Sequence, residues 1–232
     1  MKTPLNAQSL KHHLTYNWWK YLLVLLAGTF LVDLLFTVTA PRIPEEVRVD
    51  FYVFGYADET TASNYMEQIR VNEMPEMESM TCSVSYPDET YGAMILATRV
   101  AAQEGDLYLL PREDFLSYAS AGVFAPLEEY EDLMAVFNEA GVDLRRGWRT
   151  LSDSDETHLY GIPADTLPGL AYMCYAENGY LAVLAGGGNT ENTVKFLQIL
   201  CRDKMQDPEA AEAAESESAE SETAETAEPA AY

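Results

Sequence analysis

The sequence predicts an α/β fold: a single doubly wound lobe with a mainly parallel sheet, preceded by one transmembrane helix and followed by a disordered tail. Three observations predict it. Short β-rich runs alternate with amphipathic helical stretches through residues 45–205, which is typical of a parallel sheet covered by helices on both faces. Residues 21–40 are apolar with a single charge, and residues 206–232 are acidic and low in complexity.

The composition restricts the classes of partner. The chain has 14 Lys+Arg against 38 Asp+Glu, a net charge of −24. Because phosphate binding depends on clustered Lys and Arg, this balance excludes nucleic acid as a main partner. The cysteines, Cys82, Cys174 and Cys201, form no C-x-x-C pair, so neither a zinc module nor a disulfide scaffold is supported. They are interpreted as buried small apolar residues, with one disulfide left open. No metal or cofactor is predicted.

Residues 21–40, YLLVLLAGTFLVDLLFTVTA, predict a membrane-spanning helix, since about 20 apolar residues cross a ~30 Å hydrocarbon core. The run is longer than the ~7–15 apolar residues of a signal peptide, so we expect an uncleaved anchor in the lipid bilayer. Trp18 and Trp19 with Lys20 indicate an interfacial belt. Asp33 is either a tolerated carboxylate or a contact with a partner transmembrane helix.

The charges on either side of this run predict its orientation. Lys2, Lys11 and Lys20 precede it, whereas Arg42 and Arg48 follow it. This modest excess favours a cytoplasmic segment at residues 1–20 and an extracytoplasmic main domain in a single-pass protein of the cell membrane.

The carboxyl-terminal segment differs in character from the rest of the chain. From residue 207 to 232 it contains one Asp and eight Glu, with no Lys or Arg. Such a stretch cannot bury enough apolar surface to offset its ordering entropy. It is therefore predicted to be a disordered, solvating tail.

Within the lobe, residues 45–205, the predicted elements alternate. Strands are predicted at Arg48–Phe54, 80–86, 106–110 and 180–184, and helices at 61–73, 91–105, 111–122, 127–140 and 189–201. Gly105 is expected to end the second helix, and Asn189 or Thr190 to cap the last one. Residues 141–156 are polar, and SDSDET at 152–157 is interpreted as an exposed loop; residues 159–162 and 169–175 are interpreted as extended segments.

Ligands of an open α/β sheet bind at the carboxyl ends of its strands, near a switch point. That rule predicts a site formed by the residues that follow the first three strands, Tyr56, Tyr86, Asp88, Pro111 and Arg112. Tyrosine supplies a stacking face and a hydroxyl, and Arg112 can hold an anion. The alternative is that these are surface turn residues.

Catalysis has little support in the sequence. His158 has no Ser or Cys motif near it, so a nucleophilic triad is not predicted. Residues 186–188, GGG, lack the lysine of a phosphate loop. Asp153 and Asp155 lack the glycine and final glutamate of a calcium loop. The chain is therefore predicted not to be an enzyme.

Three stretches resemble the type II periplasmic or extracellular solute-binding proteins that serve ABC transporters: GDLYLLPREDFLSYASAGVFAPLEEY at 105–130, YGIPADTLPGL at 160–170 and NTENTVKFLQIL at 189–200. The first resembles the family's strand that leads to the ligand cleft and the helix after it. The second resembles the crossing segment between lobes, and the third the helix that completes the first lobe. The resemblance covers residues 47–202.

A full member of that family has two lobes that close around the ligand. Here residues 160–170 run almost directly into the last predicted strand and helix. The resemblance therefore implies a single lobe with an open half-site.

These observations predict a membrane-anchored, extracytoplasmic binding or docking module without catalytic activity. Two other functions stay open: a receptor subunit that delivers a small-molecule solute to an ABC transporter with a partner, and an extracytoplasmic enzyme. The expected partners are the lipid bilayer, a membrane protein such as a permease, and a small solute.

Overall fold

A computed structural model of the chain describes residues 7–39, 43–87, 91–175 and 178–205, with side chains from residue 17 onward. The chain divides into two compact units, Met1–Arg42 and Ile43–Tyr232. The tail predicted at 206–232 lies outside the described residues.

The described part of the first unit, residues 7–39, forms helix α1, Ala7–Thr39. Its segment Asn17–Thr39 has a mean hydropathy of 2.3, and is long and apolar enough to cross a membrane. Membrane anchors and secretion signals share these properties. Trp18 and Trp19 are largely exposed, with ring centroids 5.7 Å apart in an edge-on arrangement. Asp33 lies exposed within the same helix. The predicted apolar helix is present, and its role as an anchor stays a prediction.

Among the residues that the structure describes, the second unit has nine strands in three sheets. The strands are β1 (Arg48–Phe54), β2 (Tyr56–Ala57), β3 (Ser79–Ser85), β4 (Leu107–Leu110), β5 (Trp148–Thr150), β6 (Thr157–Leu159), β7 (Ile162–Pro163), β8 (Cys174–Tyr175) and β9 (Tyr180–Val183). The central sheet has the order β3-β1-β4-β9-β7, and two small sheets pair β2 with β8 and β5 with β6. In the central sheet β1 pairs parallel with β3 and β4, whereas β9 pairs antiparallel with β4 and β7. Four strands therefore run in one direction, and the predicted mostly parallel sheet is confirmed.

Five helices surround this sheet in the described residues. They are α2 (Glu59–Asn72), α3 (Gly92–Ala102), α4 (Arg112–Ser120), α5 (Glu131–Ala140) and α6 (Thr190–Lys204). α3 ends earlier than predicted, because Gln103 takes the left-handed conformation (φ 55°) and its N–H closes the last turn. The predicted helix at 127–140 begins with a separate 3-10 turn, Leu127–Glu129, before α5.

The alternation of side chains along β1 divides the core into two layers. Val49, Phe51 and Val53 face one layer, which also contains the buried residues of α2, α5 and α6. Tyr52 and Phe54 face the other layer, with the buried residues of α3 and α4. Helices therefore cover both faces of the sheet, and the predicted α/β class is confirmed.

One local prediction was partly wrong, and one strand was not predicted. Residues 169–175 were expected to be extended, but Pro168–Tyr172 form a 3-10 helix that begins on a proline, whose fixed φ suits a first helical turn, and only Cys174–Tyr175 form a strand. The polar region 141–156 contains β5, which pairs with β6, whereas SDSDET at 152–157 is exposed as predicted. Because β5 and β8 have only two or three residues each, their hydrophobic pattern carries too little information.

Candidate functional site

A cleft of about 510 Å³ opens where β1 and β4 end. β1 ends at Phe54 and leads to Gly55 and Tyr56, and β4 ends at Leu110 and leads to Pro111. The residues that line it include Tyr56, Pro111, Arg112, Asp114, Tyr175 and Asn178. Clefts at the carboxyl ends of parallel strands are the usual ligand sites of α/β sheets. The structure thus places an open cleft where the sequence predicted a site.

Two exposed tyrosines lie opposite each other on the rim of this cleft. Tyr56 in β2 pairs directly with Tyr175 in β8, and their side chains are 62% and 54% exposed. Directly opposed residues of an antiparallel pair point to the same face, with Cβ atoms about 4.5–5.5 Å apart. The two tyrosines therefore lie on one face of the β2–β8 pair, which we call the aromatic surface, and they come from segments far apart in the chain.

Asp58 keeps β2 and β8 in place. Its N–H donates to the carbonyl oxygen of Met173 over 3.0 Å, just before β8. Its side chain caps α2 by accepting from the N–H groups of Thr60 and Thr61 at 3.0 and 3.2 Å. The hydrogen bond from the Thr61 hydroxyl, followed by those from the two N–H groups, lowers the pKa of Asp58. One ionised residue thus connects the start of α2 to the strand that carries Tyr175.

Tyr86 extends the aromatic surface beyond the cleft. It follows β3, is about half exposed, and its ring centroid lies 5.4 Å from that of Tyr56 with the planes tilted by 50°. This separation is typical of a favourable aromatic pair. Its neighbour Pro87 lines the cleft itself. The residue that follows β3 therefore packs against the Tyr56 ring.

The charged groups of the cleft lie on the first turn of α4. Arg112 is exposed, and Glu113 and Asp114 follow it in the same cleft wall. Burial, followed by the charge of Glu113, raises the pKa of Asp114 above its ordinary value. One guanidinium and two carboxyl groups therefore face the cleft, which weakens the attraction of Arg112 for an anion.

The structure places four of the five predicted site residues. Tyr56, Pro111 and Arg112 line one cleft, and Tyr86 packs against Tyr56. Asp88 lies outside the described residues. Their role in binding stays a prediction.

Sequence reasoning missed several residues that line the cleft, and two of them, Tyr175 and Asn178, are far in the chain from every predicted site residue. They belong to β8 and to the turn before β9, neither of which is the end of a parallel strand. One signal in the sequence could have indicated Tyr175: it is the aromatic residue at the end of the extended segment predicted at 169–175, a prediction that was itself only partly right.

His158 has a structural partner. Its Nδ1 lies 2.6 Å from Oε1 of Glu128, and Oε2 of the same carboxylate accepts from the Leu159 N–H at 2.9 Å. These contacts connect β6 to the 3-10 turn that precedes α5.

The structure also shows the surroundings of Gly186, in the glycine run, and of the acidic residues Asp153 and Asp155. A Cβ on Gly186 would meet the side chain of Gln103 at 2.1 Å, so this glycine allows a close approach. Asp153 and Asp155 are exposed in the turn between β5 and β6. Within the described ranges, no three His, Cys, Asp or Glu side chains gather as metal ligands would.

Comparison with known proteins shows a partial likeness in fold. No protein-family model and no curated protein matches the chain. Among solved structures, it is similar to an extracellular solute-binding protein family 1 member from Alicyclobacillus acidocaldarius, with 21% identity over 53% of this chain and a TM-score of 0.39. An N-glycan transport solute-binding protein from Streptococcus pneumoniae matches 50% of the chain at 15% identity with a TM-score of 0.35.

An ABC substrate-binding protein from Listeria monocytogenes, solved with cycloalternan, matches 50% of the chain at 19% identity with a TM-score of 0.33. The chain covers 29%, 24% and 28% of the lengths of these three proteins. All three are solute-binding proteins, the family that the sequence resembles. The structural similarity covers about half of this chain, and it assigns neither a ligand nor a partner to it.

Proposed function

We propose that this chain is a membrane-anchored, extracytoplasmic binding module without catalytic activity. Its cleft receives one face of a neutral, ring-shaped polar solute of the carbohydrate class. The observation that carries the proposal is the exposed pair of Tyr56 and Tyr175 on the rim of the cleft. Adjacent aromatic side chains left in water are typical of binding surfaces, since each offers an apolar face and a hydroxyl.

The charges of the cleft support a neutral solute. Arg112 is accompanied by Glu113 and Asp114, so a free anion is attracted by one group and repelled by two. A solute with several hydroxyls can donate to the carboxylates and accept from the guanidinium and from the Asn178 amide. The same molecule can rest its C–H face on the tyrosine rings.

The open shape of the cleft predicts weak binding by this chain alone. A solute on one wall keeps its other face in water, so less of its surface is desolvated than in a closed pocket. We expect dissociation constants of about 0.1–1 mM. Delivery of the solute to an ABC transporter would require a partner, such as a permease or a second lobe, that covers the outer face.

Catalysis is not proposed. Among the described residues the hydrogen-bond partner of the His158 ring is Glu128, and His158 is not one of the residues that line the cleft. A nucleophilic mechanism needs a base beside a hydroxyl or thiol.

Alanine at either rim tyrosine should weaken solute binding about tenfold, because each ring supplies a stacking contact of about 1–1.5 kcal/mol. The measurement is a calorimetric titration of the full-length protein in detergent with neutral di- and trisaccharides, for the wild type, Tyr56→Ala and Tyr175→Ala. Met94→Ala is the control, because Met94 is 58% exposed on α3 and does not line the cleft.

Two outcomes contradict this proposal. Equal affinities in the wild type and in both tyrosine variants would show that the rim is not the binding surface. Binding of amino acids or charged peptides, with none of neutral sugars, would show that the solute class is wrong.

Protease added outside intact cells should remove the second unit and leave a short protected fragment that contains α1. The reason is the modest lysine excess before the apolar helix, which favours a cytoplasmic amino terminus. Immunoblotting with a tag at each end checks the result: the carboxyl-terminal tag is lost and the amino-terminal tag persists. Permeabilised cells are the control, since there both tags are lost. Survival of the carboxyl-terminal tag on intact cells would contradict the orientation.

A further inference from the structure

The central sheet has two unlike edge strands. β7, at one edge, is only two residues long, and the second of them is Pro163. β3, at the other edge, has seven residues, SMTCSVS, with no charge and no proline. Its pairing with β1 is unbroken along its whole length, so it contains no bulge. Natural sheets protect an exposed edge with short strands, prolines, charges or bulges. β7 has two of these features, and β3 has none of them.

The hydrogen bonds of β1 show which backbone groups of β3 point away from the sheet. The Gly55 N–H donates to the carbonyl oxygen of Ser85 over 3.0 Å, so Ser85 faces β1. Backbone groups of successive strand residues point to opposite sides, so every second residue back from Ser85 also faces β1. The residues between them face outward: Met80, Cys82 and Val84. Within the described ranges, no protein group pairs with the N–H or C=O groups of these three residues.

These outward groups are complementary to those of a second β3. In an antiparallel pair with Cys82 opposite its own copy, Met80 lies opposite Val84 of the other chain. The outward residues then fall in positions where opposed residues exchange two hydrogen bonds. Three such pairs give about six main-chain bonds, and both chains contribute the same surface, as a twofold axis requires.

The side chains of β3 suit the same register. Between the bonded pairs, Thr81 lies opposite Ser83 of the second copy, and Ser79 opposite Ser85. All four are at least partly exposed. Cross-strand pairs of Thr and Ser are favourable, whereas like charges in opposed positions are not. No charge opposes another along the seven residues of the strand.

The charges around this edge disfavour the acidic segment 207–232 as its occupant. Glu78 directly precedes β3 and is exposed. The Thr81 hydroxyl donates to the carboxylate of Asp50 in β1. A strand that carries several of the eight Glu of the tail would bring like charges to these groups. An uncharged strand such as β3 itself avoids this repulsion.

We propose that the outer edge of β3 binds a second copy of this chain through an antiparallel β3–β3 pair. The pair joins two five-stranded sheets into one continuous sheet. At about one hydrogen bond per 100–200 Å², six bonds correspond to roughly 600–1,200 Å² of buried surface. This is the low end of specific interfaces, so the expected dissociation constant is on the order of 10 µM.

The first experiment measures the mass of the purified full-length protein in detergent by sedimentation. The wild type at about 100 µM should have twice the mass of one chain. Thr81→Lys with Ser83→Lys places lysine opposite lysine twice, and should weaken self-association at least about tenfold. The matched control is Thr81→Lys with Ser83→Glu, which places opposite charges in the same positions and should remain dimeric.

A second pair of variants tests the main-chain bonds. Because the Val84 N–H points away from β1, Val84→Pro leaves the pairing of β1 with β3 intact, as prolines on edge strands do. It removes two of the bonds between the copies and should weaken the dimer at least about tenfold. Val84→Ala keeps the N–H and should stay dimeric. The melting temperature of each variant at a concentration where all are monomeric shows whether it is folded.

Hydrogen exchange of the wild type locates the contact. The amides of Met80, Cys82 and Val84 should exchange about tenfold more slowly at high than at low protein concentration. A peptide from the buried strand β4 is the control, and its exchange should not depend on concentration. A monomeric wild type would overturn the proposal. So would a dimer that persists in the folded lysine and proline variants, since α1 or another surface would then hold the copies together.

Discussion

Alanine in place of Gly147 is expected to destabilise the second unit by about 3 kcal/mol or more. A Cβ at this position would lie 1.8 Å from the carbonyl oxygen of Gly161 and 2.8 Å from Cδ1 of Leu159. The nearest atom belongs to the backbone and cannot rotate away. The two segments are also connected by a hydrogen bond of 3.1 Å from the Tyr160 N–H to the Gly147 carbonyl oxygen. The methyl group must therefore separate the start of β5 from the segment between β6 and β7.

Thermal unfolding of the full-length protein measures this effect, with an expected decrease of about 6–12 °C in melting temperature. Gly141→Ala is the matched control. Gly141 has a φ of +66°, but a Cβ there meets nothing within 4 Å, so only backbone strain of about 1–2 kcal/mol is expected. Equal losses in the two variants would contradict the predicted clash, because Gly147 is not among the glycines with a positive φ and its substitution carries no such backbone strain.

The second large effect is expected for Phe115→Ala, which should lower the free energy of unfolding by about 3–5 kcal/mol. Phe115 is fully buried on α4. Its ring stacks on Tyr180 with centroids 4.3 Å apart and planes within 7°, and on Phe124 at 6.1 Å. Removal of the ring leaves a cavity between α4 and the sheet, which the neighbouring rings cannot fill.

This variant also tests the connection between the core and the cleft. Arg112 and Asp114 lie on the first turn of the same helix, so a displaced α4 would move one wall of the cleft. Chemical denaturation measures the stability, and Phe115→Leu is the control because it keeps most of the volume and should cost less than about 1.5 kcal/mol. A small loss in the alanine variant would mean that the layer around Phe124 collapses into the space.

The elements that sequence reasoning located are those with long local patterns. β4 is a contiguous, fully buried apolar run, and β1 is apolar and buried except at Arg48 and Asp50. In α2 the buried residues Ala62, Met66 and Ile69 recur at helical spacing. In these segments the residues that define the element are neighbours in the chain, so the pattern alone predicts it.

Elements of two or three residues were missed or misplaced. β2 consists of Tyr56 and Ala57, and its hydrogen bonds go to β8, far along the chain. The opposite direction of β9 in a mostly parallel sheet is also not encoded in its four apolar residues. The choice of partner and direction depends on which elements pack together, and not on the composition of the segment itself.

In the candidate site, too, some residues were predicted from local sequence patterns and others depend on contacts between distant segments. Tyr56, Pro111 and Arg112 were found because they follow strands whose carboxyl ends share one edge of the sheet. Tyr175 was not found, because only the pairing of β8 with β2 brings it to that edge. The same pairing brings Cys174 to the layer that contains Cys82.

The sequence by itself determined the α/β class, the apolar amino-terminal helix, the order of the main elements and the strand ends where the cleft opens. Each of these follows from hydrophobicity and charge within short stretches of chain. Only the tertiary structure decided that Tyr175 is paired with Tyr56 and that Glu128 contacts His158. The physical reason is that these contacts join residues whose separation along the chain is large, so they exist only once the helices and strands have packed.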